Sequence, residues 1–189
     1  MIEKKNDNTS TVNVTDDREA YPKFWIAAYT RPRSEKKASA DIRQTGIETY
    51  LPIQTEIRQW SDRKKKIDVV IIPNVIFIHL CSDDISRIRQ HPLILKILTL
   101  PGRKEPAHIP SEQIENLKFM LKESDSPVRF QQIEFKRKDD VKVIRGNLKG
   151  LIGTVEKISK KKSQLIVMID FLGGAMVEIP TIDLEIIND

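Results

Sequence analysis

The side chains best suited to metal or nucleophilic chemistry are three histidines, His79, His91 and His108, and one cysteine, Cys81. Metal sites bring such ligands together at short, regular spacings. Here they are scattered, and none stands at ligand spacing from another. Gly146, Gly150 and Gly153 interrupt an alternating β pattern, whereas a phosphate-cradling loop opens a helix. Carboxylates are plentiful, but none is set apart as a general acid or base. The chain is therefore expected to be no enzyme and to hold no metal or cofactor. A single cysteine excludes an internal disulfide and suits a reducing cytoplasm. Cys81 lies in an apolar strand pattern and is expected to be a small buried residue.

What remains is binding. The chain carries a net charge of +5, unevenly spread. Residues 1–20 are net −2, residues 21–123 net +6 and residues 124–189 net +1. The middle region thus points to a polyanionic neighbour. Its cations form two groups: Arg31, Arg33, Lys36 and Lys37, then Arg63, Lys64, Lys65 and Lys66. Both suit a nucleic-acid backbone, although a solvated surface would have the same composition, and no obvious exposed aromatic accompanies the first group. Lys160, Lys161 and Lys162 are expected to be a solvated hairpin tip. No apolar run approaches the ~20 residues that span a bilayer, and the start lacks the apolar core of a signal peptide.

The elements that must position these groups follow from periodicity. Residues 1–20 are polar and are expected to be a disordered tail. Phe24 to Tyr29 is a strand with two apolar faces, Phe24, Ile26 and Ala28 against Trp25, Ala27 and Tyr29. Such a strand is central, or gives one face to a partner. Ser34 is placed to cap a helix that Gly46 ends. A strand over Ile47–Ile53 leads to a hairpin with arms Thr55–Trp60 and Ile67–Ile72 and a basic tip between them. Val75–Leu80 and Leu93–Leu100 are further strands, and Ser82 and Ser111 are placed to cap helices. Residues 124–139 are polar and are expected to link two independently moving domains, 21–123 and 140–189. After residue 140, valines and isoleucines alternate with polar residues between glycines, the pattern of a small barrel.

That last segment, Asp140-Val-Lys-Val-Ile-Arg-Gly-Asn-Leu-Lys-Gly150-Leu-Ile-Gly153, resembles a KOW module. The middle region resembles the NusG N-terminal domain. The residues that carry this are Trp25-Ile-Ala-Ala-Tyr29, Glu35-Lys36-Lys37, Gly46-Ile-Glu-Thr-Tyr50-Leu-Pro52, the basic hairpin 58–66, and Pro106 to Pro110. Ile72-Pro73-Asn74-Val75-Ile-Phe-Ile78 matches the family's Pro-Gly-Tyr-Val-Phe-Val element, with Asn74 and Val75 where Gly and Tyr are usual. That departure resembles specialised paralogs of the RfaH kind, including the antiterminators of capsular polysaccharide operons.

The resemblance implies an α+β fold: an N-terminal α/β sandwich with a mainly antiparallel sheet, then a small SH3-like β-barrel of KOW type. It implies a monomeric transcription elongation factor and antiterminator that rides RNA polymerase and suppresses pausing and termination. By matching position, Trp25, Tyr29, Ile72 and Val75 would line an apolar cavity for the β′ clamp helices, and Ser86 and Arg87 would approach the β subunit. The cations from Arg31 to Lys37 would meet non-template DNA, and Arg63 to Lys66 upstream duplex. Ile152, Phe171, Leu172 and Met176 would form an edge of the KOW module for a small-subunit ribosomal protein or Rho. The alternatives are a ribosome-associated or RNA-binding KOW protein, or the general NusG role with Rho.

Overall fold

A computed structural model describes residues 21–60, 62–132, 139–157 and 161–187. The expected tail 1–20, Ser61 of the hairpin tip, the linker stretch 133–138 and Lys160 lie outside these. Four antiparallel strands form the first sheet in the order β2-β5-β1-β6. They are β1 (Phe24–Thr30), β2 (Glu48–Tyr50), β5 (Val75–Leu80) and β6 (Ile94–Ile97). The two apolar faces of β1 have the same cause, since helices cover both. Ile26 and Ala28 pack with Ala38 and Ile42 of helix α1 (Glu35–Arg43) and Ile88 of α2 (Ile85–Arg89). Trp25 and Ala27 pack with Ile114 and Leu117 of α3 (Ser111–Glu123). Each fully buried isoleucine or leucine here contributes about 1.5–3 kcal/mol.

Between these elements stands a hairpin of its own, β3 (Ile53–Gln59) with β4 (Lys64–Val70). The single strand expected over 47–53 is divided at Leu51-Pro52, both buried. Proline has no N–H to continue a ladder, so β2 stays in the first sheet while β3 leaves it. The hairpin turn is also tighter than expected. Lys64, Lys65 and Lys66 belong to β4, facing Gln59, Arg58 and Ile57. The N–H of Trp60 donates to the Arg63 carbonyl at 2.8 Å. The serine caps differ as well. Ser34 makes no side-chain cap bond, Ser82 opens a 3-10 turn (Ser82–Asp84) whose last residue caps α2, and Pro110 occupies the cap position expected of Ser111.

The second sheet runs β12-β8-β9-β10-β11-β7. Five of its strands come from the C-terminal module: β8 (Asp140–Val143), β9 (Ile152–Lys157), β10 (Lys162–Ile169), β11 (Gly173–Pro180) and β12 (Leu184–Ile186). Gly153 is required where β9 crosses β10, because a Cβ there would lie 2.5 Å from the Ile166 carbonyl oxygen. The sixth strand, β7 (Arg129–Gln131), comes from the expected linker and pairs with the edge of β11.

Residues 124–132 of the expected linker are therefore docked in this structure. Gln113 of α3 accepts the Asp170 N–H at 2.8 Å, and Asn147 donates to Asp125 at 2.7 Å. Gln54 of β3 clasps the linker with one amide. Its Nε2 donates to the Ser126 carbonyl at 3.1 Å and approaches that of Ser124 at 3.5 Å. Its Oε1 accepts the buried Val128 N–H at 2.7 Å. One apolar cluster runs from Trp25 and Val75 through α3 to Leu165 and Val167 of β10.

Candidate functional site

The end of β1 brings together motifs far apart in sequence. Tyr29 stands directly opposite Val75 across β1 and β5. Beyond it, Ile72 and Val75 flank the turn Pro73-Asn74. Asn74 has φ 60°, a left-handed conformation that only glycine and asparagine adopt at low cost. The backbone alone thus explains asparagine where the family usually has glycine, so this residue does not separate specialised from general members. Two bonds fix the turn against the basic segment. Thr30 N–H donates to the Asn74 carbonyl at 2.8 Å, and Asn74 N–H donates to Glu35 Oε1 at 2.9 Å. Glu35, one of the residues that carry the sequence resemblance, is a buried latch between α1 and the Asn74 turn.

Arg31, Arg33, Lys36 and Lys37 follow at once and are all exposed. Arg33 is itself left-handed, at φ 62°. Lys36 reaches Asp68 of β4 at 3.6 Å, joining the basic start of α1 to the hairpin. An apolar row and a basic turn therefore share one end of the first sheet.

Trp25 is not part of this row. It lies four residues along β1, roughly 13 Å from Tyr29 at strand rise. It is 3% exposed, stacked on His79 at 4.8 Å, and Lys118 of α3 sits 5.0 Å above its ring. It is buried in the same cluster as Ile72 and Val75. Ile72 and Val75 are also buried, in the cluster shared with the C-terminal module, and Tyr29 is half-buried with Lys96 4.9 Å over its ring. Ser86 and Arg87 lie on the exposed side of α2, the short helix expected after Ser82.

Of the four expected at the KOW edge, Ile152 and Phe171 are exposed, 42% and 53%. Phe171 is held at φ 65° in the turn before β11. Leu172 and Met176 are buried, and β7 covers the Met176 edge through the Met176–Arg129 pair. The pattern of β11 alone could not tell that an edge would be occupied by the chain's own linker.

Several residues went unnoticed in the sequence. Lys118 gathers Glu115 at 2.8 Å, Glu48 at 4.0 Å and the rings of Trp25 and Tyr50. Burial, with the Glu115 charge nearby, pushes the Tyr50 hydroxyl well above its ordinary pKa. His79 bonds Glu48 at 2.9 Å. Trp60, at the hairpin turn, is 56% exposed. Among the described residues no group of three histidine, cysteine or acidic side chains is placed to hold a metal, and no helix is long and apolar enough to cross a membrane.

The family model described as transcription termination factor nusG matches residues 23–118, and the KOW motif matches residues 137–170. Among solved structures, one titled for domain interaction in Thermotoga maritima NusG is 21% identical, with a TM-score of 0.49, covering 88% of this chain and 98% of that one. An MjSpt4:Spt5 complex is 15% identical, with a TM-score of 0.29, covering 87% of this chain and 99% of that one. Since the first of the two family models spans more than half of its length, the chain belongs to the NusG family of transcription factors.

Proposed function

We propose that this protein is an elongation factor that grips the β′ clamp helices of RNA polymerase and suppresses pausing and termination. The observation that carries this is the end of β1, where Tyr29, Val75 and Ile72 adjoin the basic turn from Arg31 to Lys37. An amphipathic helix tip would dock on the apolar row, with Tyr29 as its aromatic anchor. Trp25 holds the sheet behind it. The adjoining cations would follow the non-template strand, and Ser86 and Arg87 would meet the β subunit. Exposed Ile152 and Phe171 would recruit a second protein, a small-subunit ribosomal protein or Rho. Ile72 and Val75 are buried in a cluster that continues into the C-terminal module, so the packing around them must open before the clamp helices reach them.

The test is binding of the purified protein to a clamp-helix fragment. Tyr29→Ala should weaken it about 30-fold, the loss typical of one aromatic anchor. Absence of binding by the folded wild type would overturn the proposal and favour an RNA-binding KOW protein, recognised by strong, salt-sensitive RNA affinity.

A further inference from the structure

The hairpin β3–β4 carries a surface that polymerase attachment does not use. Its register pairs residues whose numbers sum alike, and the Trp60–Arg63 bond continues it by one step. Paired residues share a face, and every second residue along a strand returns to it. Trp60, Arg63, Arg58 and Lys65 therefore stand together on one face of the hairpin end. The other face carries Ile57, Gln59, Lys64 and Lys66, with Ile57 65% exposed. Arg58 bonds Glu56 at 3.2 Å and Arg63 lies 3.9 Å from Asp62. Lys64, Lys65 and Lys66 make no ion pair among the described residues. The hairpin is a separate two-stranded sheet, so both its faces are open toward its end.

The geometry points to a binding site for unpaired nucleic acid, with Trp60 as the stacking platform. The cations alone would suit any polyanion. A flat, exposed indole among them adds a requirement for an open base face, which a continuous duplex does not offer and a single strand does. Arg63 stands opposite Trp60 and Lys65 diagonally beside it on the same face, where they would meet the phosphates flanking a stacked base.

The experiment uses the full chain with a fluorescein-labelled DNA strand of about 12 nucleotides and with the blunt duplex of the same sequence. Wild type should bind the single strand at low salt with quenching of tryptophan emission. Trp60→Ala should weaken single-strand binding by about 5- to 150-fold, which is ~1–3 kcal/mol per base stack at 1.4 kcal/mol per decade. Its salt dependence and its duplex affinity should not change. Trp60→Phe should keep most of the affinity. Lys65→Ala should weaken both ligands and lower the salt slope by about one. Unchanged single-strand binding in Trp60→Ala, an equal loss for strand and duplex, or no binding by wild type would each overturn the proposal. The assay contains no polymerase, and Trp60→Ala should bind the clamp-helix fragment as wild type does, so the two readings fail separately.

Discussion

Removing the Gln54 amide should release the linker and the sheet edge it supplies. Gln54 is 6% exposed and holds Val128 N–H at 2.7 Å and the Ser126 carbonyl at 3.1 Å. In Gln54→Ala the Val128 N–H stays buried without a partner, at about 1–3 kcal/mol, while the more open Ser126 carbonyl turns to water at about 0.5–1 kcal/mol. The 3.5 Å approach to Ser124 adds little. The docked state should lose about 2–3 kcal/mol, a factor of roughly 30 to 150. Amide hydrogen exchange reads this directly. Val128 and the β7 ladder should lose that much protection, while Ile26 and Ile76 in the first sheet keep theirs. Gln54→Glu separates hydrogen bonding from lost packing. It keeps an acceptor for Val128 N–H but turns a carboxylate toward two carbonyl oxygens, so it should be at least as damaging as alanine. Unchanged protection in the alanine variant, or a milder effect of glutamate, would refute the clasp. Because Ile72 and Val75 belong to the cluster that continues into this module, its release should loosen their packing, and the same variant should bind the clamp-helix fragment more tightly, as a larger binding-competent fraction requires.

Asn74→Gly should leave the urea midpoint nearly unchanged, whereas Asn74→Ala should cost about 1–2 kcal/mol, because alanine is strained at φ 60°. Thr30 has a buried hydroxyl without a partner among the described residues, so Thr30→Val should be neutral or stabilising by up to ~1 kcal/mol in the same titration. Tyr50 keeps its proton in the folded state to a higher pH than in the unfolded chain. Its contribution is complete below the ordinary tyrosine pKa near 10 and is lost above it, with a slope of at most about 1.4 kcal/mol per pH unit. Unfolding titrations above pH 10 should therefore show a shallower decline in Tyr50→Phe than in wild type.

The sequence pattern carried the order of elements because burial has a period. The double apolar face of β1 required cover on both sides, and α1, α2 and α3 supply it. The edge position of β7 had no comparable signal. Arg129-Phe-Gln131 is short and only half apolar, and it is a strand because β11 offers an unpaired edge. Serine caps failed for a related reason. Propensity favours Ser82 and Ser111 at helix starts, but a 3-10 turn over Ser82–Asp84 delays α2 to Ile85, and the extended backbone at Pro110 places the α3 boundary one residue earlier.

The candidate sites were legible as types of side chain and not as groupings. Glu35 with Asn74, and Gln54 with Val128, are side-chain to backbone bonds across long stretches of chain, and such bonds leave no periodic trace. Trp60 was hidden by an error of register. With the basic run taken as a loop, its cations have no defined faces and the tryptophan is simply the last residue of an arm. With Lys64 to Lys66 in a strand, alternation sorts them, and Trp60 falls beside Arg58, Arg63 and Lys65. Pro52 is the upstream cause. By ending β2 it sends β3 away from the first sheet, and that separation leaves the cations and the indole facing solvent together.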